Sequence, residues 1–409
     1  MAKQAGFLRW LLLFAALLLI AALAAPFLVP LSGFIPQLQE LASKAIGQPV
    51  AIADLRLHLL PTPRAVASGL RVGKKDDVKV GELEIVPDLA ALAAGRKSLA
   101  LVRAANVELK ESALSIPGRM PKSDAEPVAV KRIEARQVRL HHSKVRLPEF
   151  DLDAGLAEGN MIESLRFETR DGAMRLRAQG TAKDRQLDMP KIEGDFYGGR
   201  LSGTLKADWA RLWKLGGTLK LAGVDIARVQ QALGRPPRLT GRLDAGATYS
   251  AAAKSPDLLA NALAVDGPFT VAGGAYQGVD LSKVGDLTGS KGAGGVTRFD
   301  ELRGKLRLRG KTVRIHELCA KSSTLVAGGF VEVAPDQKLS GRLDVSIAKT
   351  GGFVGVPVAL SGTTSDPAFR PTRGYTAGAI LGTVLLPGVG TALGGSAGAA
   401  VEGKAAECK

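Results

Sequence analysis

The sequence is poor in the side chains that perform chemistry. Among 409 residues there are four histidines, two cysteines and only 5% aromatics. So few aromatics exclude the broad stacking platforms on which single-stranded nucleic acids are held. His141 and His142 are adjacent in a stretch that reads as strand. Their side chains therefore point to opposite faces and do not share a metal ion. His58 and His316 each stand alone. Cys319 and Cys408 form no C-x-x-C spacing, which removes the usual zinc and redox motifs. A bridge between them is open to a chain in an oxidising compartment, but the reading favours unpaired thiols. No nucleophile elbow, zinc-protease helix, P-loop or dinucleotide fingerprint is present in its required context. The glycine clusters "GAGGVT" and "AGGAYQG" read as turns, and Asp151 and Asp153 as carboxylates of a solvated strand. No catalytic, cofactor-binding or metal-ligating residue is assigned. The chain reads as a non-enzyme without a cofactor.

What is present is positive charge, apolar alternation and glycine. The formal net charge is +16, which points to an anionic partner, whether nucleic acid, phospholipid headgroups or another polyanion, without choosing among them. Hydrophobic residues are 46%, enough for a sizeable core, and 49 glycines punctuate short strands.

One long apolar run stands near the start. Residues 10–29, "WLLLFAALLLIAALAAPFLV", include Trp10, Leu11, Leu18 and Leu28. About 20 apolar residues suffice to cross ~30 Å of hydrocarbon as a helix. Lys3 and Arg9 precede the run, and no basic residue follows before Lys44. The charge bias puts 1–9 in the cytoplasm and everything after the anchor outside. Ala22-Leu23-Ala24 also matches a signal-peptide cleavage site, so a cleaved leader is the competing reading. Against it, the run continues through Phe27, Leu28 and Val29. Either way the body is exported, which weakens a nucleic-acid reading of the charge. The expected location is a bacterial inner membrane crossed once, with the body in the periplasm.

Residues 36–46 read as a short amphipathic helix closed by Gly47. Strands then begin, with a one-residue slip at Asp54 between Val50 and Ile52 on one side and Leu55, Leu57 and Leu59 on the other. Further on a motif Leu-x-Gly-x-Leu-x-apolar recurs: "LSGTLKA" (201–207), "LGGTLKL" (215–221), "LTGRLDA" (239–245), "LRGKLRL" (302–308) and "LSGRLDV" (339–345). Its period of two marks half-buried strands. Leu306, Leu308, Val313 and Ile315 mark one face; Lys305, Arg307, Arg309 and Arg314 the other. Glycine on the apolar face, copy after copy, fits a strongly curved sheet. The spacing between copies is uneven, so this is a long antiparallel meander and no strict solenoid. Two short helices interrupt it, at 226–233 with Asp225 as N-cap and at 256–263 with Ser255 as N-cap. Residues 117–127, "PGRMPKSDAEP", read as a flexible connection.

These residues resemble the AsmA family of bacterial cell-envelope proteins. At the N-terminal end the likeness lies in the apolar run and short helix, then "AIGQPVAIADLRLHLLPTP", "GLRVG" and "VGELEIVPDLAALAAGR". At the other end it lies in "TRFDELRGKLRLRGKTVRIHELCAKSSTLVAGGFVEV", "LSGRLDV" and "VPVALSGTTSDPAFRP". The Gly-Thr-x-x-x-Pro-x-Phe-x-Pro pattern over 362–371 is its most specific part. The resemblance covers the two ends and about half of the chain; 118–295 matches in texture only. It implies an elongated, curved β-groove with an apolar interior, akin to the bridge-like lipid transfer proteins, and a role in phospholipid movement and outer-membrane homeostasis. About 20 strands at ~4.8 Å would make a groove of at most about 95 Å, short for a complete bridge between two membranes.

The expected fold is therefore mainly β. A transmembrane helix leads into a curved antiparallel β-sheet groove with a few short helices and a C-terminal glycine-rich helical hairpin. The expected divisions are a cytoplasmic N-terminus (1–9), the anchor (10–29), an N-terminal AsmA-like unit (30–117), a curved β-body with the C-terminal AsmA-like unit (118–372), and the hairpin and tail (373–409). In the closing segment Gly374, Gly378 and Gly382, then Gly390, Gly394 and Gly398, recur every four residues on either side of Pro387-Gly388. That spacing makes two smooth helix faces, each half too short to span a bilayer. A mobile tail is the alternative. The apolar strand faces also allow two readings, a closed core or an open lipid groove. In the groove reading the lining residues are Leu205, Leu219, Leu243, Leu306, Leu308, Val345, Val356, Val358 and Leu360. The expected function is to hold or transfer phospholipid. The alternative is an envelope assembly or structural factor acting through protein contacts, with the hairpin as the meeting point. Partners are then phospholipid, membrane and an envelope protein, with no nucleic acid.

Overall fold

The computed structural model describes residues 31–110, 112–113, 128–141, 147–183, 185–281, 293–349, 352–377 and 408. The run 10–29 with Trp10, Leu11, Leu18 and Leu28, the connection 117–127, and Gly378, Gly382, Gly390, Gly394 and Gly398 lie outside these residues. Gly374 lies inside, in a helical turn at 373–377. No described helix is long and apolar enough to cross a membrane.

The protein is mainly β with a few short helices. It divides into two compact units: the first holds 1–143, 147–171 and 179–185, and the second everything from 186 onward together with 144–146 and 172–178. The expected division at 117/118 falls inside the first unit.

The first unit opens with helix α1 (Ile35–Ile46), which has Pro36 in its first turn and ends where Gly47 turns left-handed at φ 73°. Strands β1 (Val50–Ala51) and β2 (Asp54–His58) are separate elements, so the slip at Asp54 is an element break. Both pair with β3 (Arg64–Val72). Helix α1 lies along their free edge. The Val50 amide donates to Ser43 Oγ at 2.9 Å and Gln39 Nε2 donates to the Ile52 carbonyl at 3.1 Å. A helix that satisfies edge groups in this way blocks pairing with another chain.

From β3 the ladder runs through β4 (Val78–Pro87) to β5 (Ser98–Lys110), with a short helix α2 (Leu89–Ala93) between them. Asp88 caps α2 by accepting from the Ala91 amide at 3.2 Å. The next step is parallel: β5 pairs in parallel with β6 (Ala129–Val130) and β7 (Arg132–His141). The rest is antiparallel through β8 (Phe150–Leu156) to β9 (Ile162–Thr169). Residues directly opposite share a face, and the rows sort cleanly. Leu70, Val80, Val107, Val138 and Phe150 stand in one row, with Val80, Val107 and Val138 buried. On the opposite face Glu84, Arg103, Glu134 and Asp153 stand in another, with Arg132 and Arg136 beside its two adjacent carboxylates, Glu134 and Asp153.

Strand β10 (Met174–Lys183) is divided between the units. The second unit then runs as an antiparallel meander. Its first strands are β11 (Gln186–Phe196), β12 (Gly199–Asp208), β13 (Trp213–Asp225), β14 (Leu239–Ala253), β15 (Ala264–Val279) and β16 (Ala293–Arg309). It continues through β17 (Thr312–Lys321), β18 (Leu325–Val333), β19 (Leu339–Lys349), β20 (Gly352–Gly362) and β21 (Pro367–Pro371). Helix α3 (Ile226–Ala232) follows β13, capped by Asp225, which accepts from the Ala227 and Arg228 amides. The second interruption differs from expectation. Pro256–Ala262 is a 3-10 helix, and Ser255 makes no capping bond with its side chain.

Register shifts mark bulges in the pairs β11–β12, β13–β14, β14–β15, β15–β16, β16–β17 and β17–β18. Each adds local twist and bend to this meander. The cysteines correct the sequence reading. Cys319 on β17 is disulfide-bonded to Cys408, 89 residues later, with Cα atoms 5.3 Å apart. Nothing in the spacing of two lone cysteines reports that proximity, because pairing depends on where the fold returns the chain.

Candidate apolar binding face

The glycine motif explains how the strands of the second unit approach one another. A Cβ on Gly217 would lie 2.0 Å from the Thr204 carbonyl oxygen of β12 and 2.9 Å from the Tyr249 hydroxyl of β14. A Cβ on Gly203 would meet the Thr218 carbonyl oxygen at 2.3 Å. Neither position tolerates a side chain. Tyr249 instead lies across Gly217, which it opposes in register, and donates its hydroxyl to the Thr204 carbonyl at 2.8 Å. An aromatic covering a strand glycine restores the packing that the glycine gives up. Burial also pushes the Tyr249 phenol above its ordinary value. The sequence reading missed this residue; its signal was a lone tyrosine in register with a motif glycine.

Register then decides which side chains share a surface. Starting from Met189 on β11, successive opposed residues are Leu205, Gly217, Tyr249, Val265, Leu308, Val313, Val333 and Leu339. This single row crosses nine strands without a charged residue. A second row runs Val224, Leu243, Val271, Leu302, Ala320, Ala327, Val345 and Val356. A third runs Gly267, Leu306, Ile315, Val331, Gly341, Leu360 and Phe369. Leu219 opposes Gly203, two positions from Leu205, and Val358 opposes Leu343, two positions from Val345. Side chains two apart on a strand share a face, so all nine groove candidates lie on one face of this meander.

Their burial is not uniform. Leu205, Leu219, Leu243, Leu306 and Leu308 are half-buried and keep part of their surface in solvent. Val345, Val356, Val358 and Leu360 are buried, with Val358 at 0% exposure. They belong to a packed cluster with Val279, Leu281, Leu325, Leu343, Phe369 and Tyr375. The same face is thus packed closed mainly over β18–β21, joined by Val279 and Ala320, while the leucines of β12–β16 form a half-open apolar strip. Burial also changes along single strands: Val224 on β13 and Val271 on β15 are fully buried, while Leu219 and Val265 on the same strands are half-buried.

The opposite face is charged and paired. Arg307 and Arg309 both bind Asp266; hydrogen bonds from Arg309 and then Arg307 hold that carboxyl below the usual carboxylate range. Lys305 pairs with Glu317 at 2.8 Å and Arg314 with Glu332 at 2.9 Å. Cys319 lies on this face, opposite Arg303 and Gly328. The bridge to Cys408 borders a recess of about 490 Å³ with Pro268, Thr270, Arg303, Lys305 and Glu317. Chemically the two faces offer an uncharged, mainly apolar and partly buried side and a side of fixed ion pairs. No family model, curated protein or solved structure matches the chain.

Proposed function

We propose that this protein holds or transfers phospholipid, with acyl chains lying along the half-open apolar strip of β12–β16. The observation behind this reading is the uncharged row of residues across nine strands, left partly uncovered at Leu205 and Leu308, with half-buried Leu219, Leu243 and Leu306 beside it on the same face. A long, narrow apolar strip suits a long, narrow apolar ligand. Hydrocarbon is held by buried area alone, at about 0.8 kcal/mol per methylene, so the strip needs no site chemistry. The AsmA-like motifs support the same reading, with the body in the periplasm behind an anchor at 10–29 and a part in envelope homeostasis. In this proposal the strip belongs to a curved groove, and the 373–409 segment is a helical hairpin that meets lipid or a partner. A bridge-type conduit would need a longer groove or several copies.

The test is lipid analysis of the full chain after gentle detergent extraction. The expected result is phospholipid retained in stoichiometric amounts, and largely lost when Leu205, Leu219 and Leu308 are changed together to Gln. A folded protein free of lipid, whose envelope function survives those changes, would leave the role of a protein-contact assembly factor.

A further inference from the structure

Among the described residues, the strongest exposed apolar stripe without a partner is on and just before α1, in the first unit. None of the helix's residues is buried. Phe34, Leu38 and Leu41 are 52%, 39% and 64% exposed. Phe34, the N-cap residue just before α1, has helical backbone angles (φ −91°, ψ −13°), so spacings of four and three put it with Leu38 and Leu41 on one side of the helix, continued by exposed Ala45. The other side is fixed by the bonds of Gln39 and Ser43 to the edge of the sheet. At 100° per residue the Phe34–Leu38–Leu41 stripe is turned about 150° from the Gln39–Ser43 side. The helix charges, Glu40 and Lys44, flank the stripe and pair with each other at 2.7 Å.

The chain just before this helix says what would cover the stripe. The apolar run ends at Val29, five positions before Phe34. Five residues reach at most about 18 Å, so if 10–29 crosses a bilayer, Phe34 starts within the headgroup zone. A helix with large apolar residues on one side, a charged flank and the body bonded to its back matches the requirements for lying in a membrane interface.

We propose that α1 is an interfacial helix, with Phe34, Leu38 and Leu41 inserted in the lipid surface and β1 and β2 held directly above it. This rests on the reading of 10–29 as an anchor and is independent of lipid carriage by the strip. The helix would then both close the sheet edge and set the orientation of the first unit on the membrane.

The experiment is photolabelling of the full chain in phosphatidylcholine–phosphatidylglycerol vesicles that contain a phospholipid with a diazirine near the glycerol. Adducts are mapped by mass spectrometry. Labels are expected on Phe34, Leu38 and Leu41 but not on Gln39 or Ser43. In the double variant Leu38→Gln/Leu41→Gln, α1 labelling should fall at least about tenfold, with 10–29 labelled as before. Labelled 10–29 with an unlabelled stripe would overturn the proposal and leave the anchor standing, as would a cross-link showing the stripe covered by protein. Release of unlabelled protein by alkaline carbonate would overturn the anchor and the proposal together. The unmodified protein decides each case, so the outcome does not depend on the variant folding.

Discussion

Tyr249 and Gly217 show how single positions shape the strip. The tyrosine fills the space over a glycine that tolerates no Cβ, and its hydroxyl satisfies a carbonyl of the second strand along. Tyr249→Phe keeps the ring and removes one hydrogen bond. A loss of about 1 kcal/mol is expected in urea unfolding, the usual net worth of such a bond. Gly217→Val should cost more, because the clash is with backbone and β-strand partners have nowhere to move. Equal stability of both variants and the parent would remove Tyr249 from this role. The glycines of the repeated motif were legible as bends on the apolar face. Their partner was not, since a cross-strand contact depends on register.

At the scale of elements, the charged row of the first unit is a ladder held by Glu134. This carboxylate is buried and takes Arg103 and Arg136 at 2.9 Å and Arg132 at 3.0 Å. Burial pushes its carboxyl up, but the hydrogen bond and charge of Arg103, then Arg136 and Arg132, prevail and hold it below the usual carboxylate range. A depressed carboxyl stabilises the fold above its unfolded value, and that contribution is lost as the pH falls through the folded value. Acid unfolding of Glu134→Gln should therefore show lower stability at neutral pH, by on the order of 2 kcal/mol, and a flatter slope in acid. A variant with the parent's pH profile would refute the ladder's contribution. Helix α1, helix α3 with its Asp225 cap and the break at Asp54 were readable because each depends on local signals. The 3-10 geometry of Pro256–Ala262 was not, because Ser-Pro starts an α-turn and a 3-10 turn alike.

At the scale of the molecule, the disulfide ties the far end of the chain to β17. Closing a loop of 89 residues removes unfolded-state entropy worth about 4–5 kcal/mol in the chain-entropy account. Reduction, or Cys319→Ser, should lower the unfolding midpoint of the second unit markedly under otherwise equal conditions. An unchanged midpoint would mean that the bridge adds no stability. The formal net charge of the chain is +16, and on the charged face of the second unit Arg307, Arg309, Lys305 and Arg314 already have acidic partners. Attraction to an anionic surface would therefore come from the excess charge as a whole more than from one basic site.

The sequence by itself determined the class of fold and the two faces of the strands. Period-two alternation and motif glycines are local properties, and each strand records which of its sides avoids water. Residues such as Leu306, Leu308, Arg307 and Arg309 were sorted correctly for that reason. Only the tertiary structure decided which apolar positions are sealed and which remain open. Val345 and Leu308 have the same alternation, yet one packs under Phe369, Tyr375 and their neighbours while the other stays half-buried. It also decided the parallel pairing of β5 with β7, the bridge from Cys319 to Cys408 and the covering of the β1–β2 edge by α1. Each of these joins residues distant in sequence or sets a burial that neighbouring elements supply, and alternation along one strand carries no record of either.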